Sequence, residues 1–512
     1  MKNLAVCADG TWCTADQEEN GIPTPTNVVR LMNCLDDQAK IPTDGESVTV
    51  ADQLRYYHPG VGTEGRILSR LKGGAWGEGL SKNIQSAYHW LARNYSPGDR
   101  IFLFGFSRGA YTVRSLGGVL GRCGLLNLAG VPPEKGWKRV KTVYQNGYRN
   151  KEPHSAWARN WKFHHKANTP IRFLGVWDTV GALGIPDDMP FLNLMDQPRK
   201  WNFHDTKIGK SVEVARHAIA LDEHRASFTP TLWVSVPKNA DVKQIWFPGS
   251  HSDVGGGYVQ TGLSNIALIW MIQEAEAAGL AFKKGAVGQI QADPQCVLHD
   301  SFKGIFKAVR SRPRNTPKIK DDRVHESARR RHESPPITQA PYRPTTVLKK
   351  GDKPIVVDIY ACERWNSTGL YLPEGKYRFS ARGEWLDWNI PCGPGGTDDG
   401  EFKLGEVAHL FGTTLGWLES AWKGVSGNEQ ADFKMTRRHE QWPWFSLVGA
   451  IANCKRKPAT DGTPHEHQEF LISAGTTKNV SRGGYLYAYA NDAWDFYDNN
   501  RGSVQLTVKR LE

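Results

Sequence analysis

The chain has 512 residues, 39% of them hydrophobic, 11% aromatic and 23% charged, and a formal net charge of +12. That length exceeds one ordinary domain and fits two or three. The composition is that of a globular protein and excludes bulk disorder. The basic balance favours anionic surfaces, and since no nucleic-acid motif accompanies it, a membrane surface is the expected partner and nucleic acid is not.

Eight scattered cysteines form no CxxC pair and no zinc spacing, which suits a reducing cytosol. The start, MKNLAVCADG, turns polar too soon for a signal peptide. The longest apolar stretch, LSNIALIWMIQEAEAAGLAF, becomes acidic well short of the ~20 residues that span a bilayer. The expectation is synthesis in the cytoplasm and, for any action outside the cell, export by a dedicated secretion system to the envelope of a target cell.

In chain order, KNLAVCADGTW reads as a short buried strand ending in a polar turn. Leu80, Ile84, Ala87 and Leu91 then fall at helical spacing. Ile101–Phe106 reads as a strand, followed by a helix with Ala110, Val113, Leu116 and Leu120 on one face. IRFLGVWDTVG and VKQIWFPGSHSDVGGGY are two further apolar runs, each ending in polar and glycine-rich residues. Strands alternating with helices predict a mainly parallel sheet of α/β-hydrolase type, with ligands beyond the carboxyl ends of the strands. Residues 302–344 are basic and proline-rich, either a linker or a wrap over this first domain, which takes in 1–344. After Thr345 the pattern alternates with period two, which predicts a β-sandwich or jelly roll over 345–512.

GFSRG places Ser107 between two glycines, after a β-rich run and before an amphipathic helix, which is how a nucleophile elbow reads. A serine hydroxyl needs a base, usually histidine, held by an acid. Among sixteen histidines, His251 stands at the end of an apolar run downstream of the serine and opens HSDVGGGY; its duller role is a pair with Asp253. Asp178, at a strand end between the two, completes the order Ser…Asp…His. Asp222 is the rival acid, with an ion pair to Arg225 as its duller explanation. An oxyanion hole needs two donors. The backbone N–H of Arg108 is one, and the N–H of Gly10 or Thr11 is the other.

The ordered set ADGTW, YYHPGVGT, GFSRGAYTVRSL, GVWDTVGALG, ALDEHRASFTP and FPGSHSDVGGGY resembles the α/β-hydrolase domain of the first class of type VI secretion lipase effectors. That resemblance covers about two-thirds of the chain. It implies a serine ester hydrolase acting on membrane phospholipid as an antibacterial effector, with Ser107, Asp178 and His251 in the triad positions. It also implies an immunity protein and a secretion-spike component as partners. A carboxylesterase or thioesterase on a soluble substrate is the alternative, as is a non-catalytic glycan-binding cargo protein.

GYLYAYANDAWDFYDNNRGSVQLTV is similar to the end of bacterial galactophilic calcium lectins. By that resemblance Asp492, Asn499, Asn500, the carbonyl of Phe496 and, from ARGEWLDW, the backbone carbonyl of Asp387 would hold Ca²⁺, with glycan hydroxyls completing the shell. The duller reading of the same loop is a turn rich in Asp and Asn that binds nothing. The family's sugar-contacting His and Gln have no counterpart in IPCGPGGTDDGE.

Overall fold

The computed structural model describes residues 1–10, 13–36, 40–43, 46–50, 53–60, 75–158, 160–180, 207–302, 310–339, 341–397, 437–455, 466–494 and 496–512. Six strands form the first sheet: β1 (Asn3–Ala8), β2 (Gln53–His58), β3 (Arg100–Phe106), β4 (Ile171–Trp177), β5 (Val212–Ala220) and β6 (Asp241–Phe247). Their spatial order is β6-β5-β4-β3-β1-β2, and every neighbouring pair is parallel.

β1 is buried throughout and β3 nearly so, because helices cover both faces of the sheet. This is why these segments read as unbroken apolar runs rather than as alternating ones. Leu4 and Val6 face one side, packing with Ile84 and Leu91 of α2 (Ala75–Asn94) and with Val113, Leu116 and Leu120 of α3 (Arg108–Cys123). Ala5 and Cys7 face the other, with Val28 and Leu31 of α1 (Asn27–Cys34) and Leu268, Met271 and Ile272 of α5 (Gly262–Ala277). A five-residue helix, α4 (His251–Gly255), follows β6.

The chain leaves β1 for β2 on one side, and β3 then lies on the other. The order therefore reverses between β1 and β3, where an open α/β sheet places its ligand crevice.

The described residues between 346 and 512 form two five-stranded sheets, mostly antiparallel, around a core that includes Trp385, Phe445, Leu447, Phe470 and Leu506. This is the α/β-hydrolase-like sheet followed by a β-rich domain that the sequence predicts. The basic segment between them lies against the first domain. Its residues bridge to β6 at Trp246↔Val324, and it carries a helix at Glu326–Glu333.

Candidate active site

Phe106 ends β3 and Trp177 ends β4, and the two are register partners. The residues after them, Ser107 and Asp178, leave the sheet together, with the Ser107 N–H donating to the Trp177 carbonyl at 3.1 Å. Ser107 has φ 56° and Asp178 φ 34°. Such left-handed backbone is costly for a side chain and concentrates at functional sites. The turn at Ser107 is tight, since a Cβ on Gly105 would lie 2.5 Å from the Gly109 carbonyl oxygen, and one on Gly109 would lie 2.1 Å from that of Ala8. The two glycines of GFSRG are therefore required by space.

His251 opens α4 beyond the end of β6. Its ring lies tilted against Phe106 at 4.6 Å and meets Phe228 edge-on at 4.9 Å. A Cβ on Gly255 would strike the Phe106 ring at 2.0 Å, so this glycine lets α4 close onto the end of β3. His251 Nδ1 lies 2.5 Å from Asp178 Oδ2. Asp178 is fully buried, and His251 and Ser107 are nearly so.

Burial alone would raise the Asp178 pKa. The Arg314 guanidinium and the His251 hydrogen bond outweigh burial and hold the carboxyl well below the usual range. Burial pushes the His251 pKa down, and the Asp178 carboxylate offsets this only in part. The imidazole is therefore neutral at neutral pH. Its Nδ1–H is donated to the carboxylate, which leaves Nε2 as the acceptor.

The alternatives raised by the sequence have other partners here. Asp222 accepts from Gly249 N–H at 2.7 Å, Tyr342 hydroxyl at 2.7 Å and Arg343 Nη1 at 2.8 Å, a pin between the first domain and the segment after it. Arg225 pairs with Glu223, not Asp222, through Nε and Nη2 at 2.9 and 2.8 Å. Asp253 takes Ser250 N–H and His299 Nδ1 at 2.9 and 2.6 Å. Glu223 also accepts the His251 backbone N–H at 3.2 Å, which anchors the start of α4.

Arg108 heads α3, where backbone N–H groups lie outside the helix's own ladder. Gly10 borders the crevice: a Cβ there would lie 3.2 Å from Ser107 Cβ. Its N–H, expected to face an oxyanion, donates instead to Asp9 Oδ1 at 2.8 Å. Asp9 also accepts from Thr26 and Tyr57 hydroxyls at 2.8 and 3.0 Å, so this turn is wired inward. Thr11 lies outside the described residues.

Two groups around Asp178 carry no local signal. Arg314, from the basic segment, grips Asp178 with both Nη atoms at 2.7 and 2.9 Å. His217 on β5 accepts the Thr179 N–H at Nε2, 3.1 Å away, and burial pushes its pKa down to about 3. Both contacts join distant parts of the chain.

In the β-rich domain, Asp492 Oδ2 takes Asn500 Nδ2 at 2.8 Å, and Asn499 Nδ2 lies 3.4 Å from Asp387 Oδ1. The Phe496 carbonyl accepts Asn499 N–H at 3.3 Å. Asn499 Oδ1 and Asn500 Oδ1 are buried with no hydrogen-bond donor. Asp492 with Asn500 and Asp387 with Asn499 thus form two carboxylate–amide pairs that share adjacent residues of one loop, and carboxylate, amide and carbonyl oxygens are the ligand types a hard cation takes. Among the described residues no cluster of three His, Cys, Asp or Glu side chains is arranged to hold a metal, and no helix is long and apolar enough to cross a membrane.

The family profile described as T6SS, phospholipase effector Tle1-like, catalytic domain matches residues 2–274. The uncharacterised protein YEL023C of Saccharomyces cerevisiae is 32% identical over 257 residues, covering 46% of this chain and 33% of that protein. The chain thus spans about a third of the length of that curated relative. Among solved structures, an uncharacterised protein from Pseudomonas aeruginosa is 18% identical, with a TM-score of 0.31 over 57% of this chain and 49% of the other. The Tle1 effector bound to the VgrG spike of the type 6 secretion system is 18% identical, with a TM-score of 0.29 over 51% and 52%. The N-terminal domain of EclA, a PllA-like lectin, is 13% identical, with a TM-score of 0.18 over 30% and 95%.

Proposed function

The chain belongs to the family of type VI secretion phospholipase effectors of the Tle1-like kind, and from that premise we propose that it is a serine ester hydrolase that cleaves acyl chains from membrane phospholipid. Ser107 attacks the acyl carbonyl carbon. His251 Nε2 takes the hydroxyl proton and later returns it to the leaving alcohol, so that an acyl-serine ester forms and the glycerol ester bond breaks. Water, deprotonated by the same imidazole, then releases the fatty acid. Asp178 holds the ring and stabilises the imidazolium. The Arg108 N–H at the head of α3 faces the developing oxyanion. The second donor comes from the turn after β1: Thr11, or Gly10 once its bond to Asp9 opens.

The observation that carries this reading is the 2.5 Å contact between His251 and Asp178 beside the left-handed turn at Ser107. Ca²⁺ in the β-rich domain is part of the proposal, held by Asp492, Asn499, Asn500 and the backbone carbonyls of Phe496 and Asp387. Bound there, the ion would order this loop and offer open coordination positions to glycan hydroxyls. A secretion-spike component and an immunity protein are the proposed partners, with export to a target cell.

The test is fatty-acid release by wild type and Ser107→Ala on phosphatidylethanolamine/phosphatidylglycerol vesicles and on a short-chain soluble ester. Vesicle hydrolysis by wild type alone supports the proposal. Hydrolysis of the soluble ester alone points to a carboxylesterase, and equal release by the two proteins removes the enzyme.

A further inference from the structure

Arg314 lies 136 residues from Asp178 in sequence, yet its side chain is buried at the carboxylate. Nη1 donates to Asp178 Oδ1 and the Ala220 carbonyl, both at 2.7 Å. Nη2 donates to Asp178 Oδ2 at 2.9 Å and the Phe228 carbonyl at 2.5 Å. The Ala220 N–H takes the second site on Oδ1 at 2.9 Å, and His251 the second on Oδ2. A carboxylate has about four lone-pair sites, and all four are filled here. The group has no freedom to turn about its Cβ–Cγ bond.

The strap that carries Arg314 is fixed from both sides. On the hydrolase side, Ala226 N–H donates to the Arg310 carbonyl at 2.9 Å, and Arg312 N–H donates to the His224 carbonyl at 2.6 Å. On the side of the β-rich domain, Trp365 Nε1 donates to the Ser311 carbonyl at 3.0 Å and His467 Nε2 to the Pro313 carbonyl at 2.7 Å. Burial pushes the His467 pKa down to about 3, so the ring is neutral and Nε2 serves as the donor.

We propose that Arg314 is a positioning residue for ester hydrolysis, and that the β-rich domain holds it on Asp178 through Trp365 and His467. This rests on the reading of Ser107, His251 and Asp178 given above. The planar guanidinium fork sets the plane of the carboxylate, which a lysine would not do. Burial is what chiefly lowers the His251 pKa, and the guanidinium charge, set against the Asp178 carboxylate, limits how far that carboxylate raises it again. Among the described residues, the charged or titratable groups around the pair are Arg314, His217, Arg225 and Glu223, with Arg114 acting on His217. Among the described residues, Arg314 is the one that touches the acid from outside the first domain's sheet and helices.

The experiment uses full-length wild type, Arg314→Met, Arg314→Lys, His467→Ala, Trp365→Phe and Ser107→Ala. Short-chain ester kinetics are normalised to active sites counted by a fluorophosphonate label. The His251 ring is titrated by NMR. Arg314→Met is expected to lower kcat about 10- to 100-fold with KM within about twofold, and to move the acid limb and the His251 pKa up by about one pH unit. Arg314→Lys keeps the charge, so its limb stays within a few tenths while kcat falls. His467→Ala and Trp365→Phe lower kcat about three- to tenfold without moving KM. An unmoved His251 pKa in Arg314→Met, or variants whose kcat per labelled site and pH limb equal wild type, overturns the proposal. Retained hydrolysis by Ser107→Ala instead removes the reading beneath it, and the NMR titration still decides the Arg314 electrostatics.

Discussion

Phe106 and Trp177 face each other at the ends of adjacent parallel strands, so Ser107 and Asp178 emerge side by side with left-handed backbone at both. His251 reaches the same place from two strands further along, on a helix that packs against the Phe106 ring. Strand register, rather than any loop, sets the spacing of the candidate nucleophile and acid.

Replacing Asp178 by Asn keeps the shape and removes the charge that fixes the His251 tautomer. The expected loss in kcat is on the order of 10³-fold, with a far smaller change in KM. Steady-state kinetics on a soluble ester, with folding checked by near-UV circular dichroism, give the comparison. A loss below about tenfold would place the acid elsewhere, with Glu223 the next to test.

The pH profile follows from the direction of the His251 shift. The base works only when neutral, and burial lowers its pKa below the ordinary 6.5 despite Asp178. Activity should hold from neutral pH to below 6.5 and fall on the acid side, with no loss from this group as pH rises. Measuring kcat/KM from pH 4.5 to 8.5 checks it. An acid limb centred above pH 7 would contradict the described environment of the ring.

Three glycines are spatial requirements. An added methyl at Gly109 or Gly255 meets the Ala8 carbonyl at 2.1 Å or the Phe106 ring at 2.0 Å, and one at Gly105 meets the Gly109 carbonyl at 2.5 Å. Each Gly→Ala change is expected to cost about 1–3 kcal/mol, lowering Tm by several degrees. Thermal unfolding followed by calorimetry reads this directly. Gly288, with open space around it, is the control and should shift Tm little.

The loop at Asp492 predicts stabilisation by Ca²⁺. At a concentration about 100 times Kd, binding adds ~2.7 kcal/mol to the domain that holds the ion. The unfolding temperature of the β-rich domain should rise with Ca²⁺ and return with chelator, and Asp492→Asn should abolish the rise. Identical melts with Ca²⁺ and with chelator would leave the buried Asn499 and Asn500 oxygens to ordered water.

Much of the site was legible because its signals are local. The Ser107 elbow shows itself in five residues, since the glycines, the preceding apolar strand and the following helix are all adjacent. The strand ends at Asp178 and His251 were legible for the same reason: buried parallel strands are continuous apolar runs, and polar residues appear where they stop. What was not legible depends on long-range contacts. Arg314 is one of many arginines in a basic stretch, and nothing nearby marks it as the partner of a carboxylate 136 residues away. The direction of the Gly10 N–H also escaped a sequence reading, because it depends on where the Asp9 side chain turns after Thr26 and Tyr57 have claimed its other oxygen.

The central claim is that Ser107 is an activated alcohol served by His251. A fluorophosphonate probe followed by peptide mass spectrometry tests it most directly. The account predicts one adduct, on Ser107, formed much more slowly in His251→Ala and absent in Ser107→Ala. An unlabelled wild-type protein, or an adduct on another residue that survives Ser107→Ala, would contradict it.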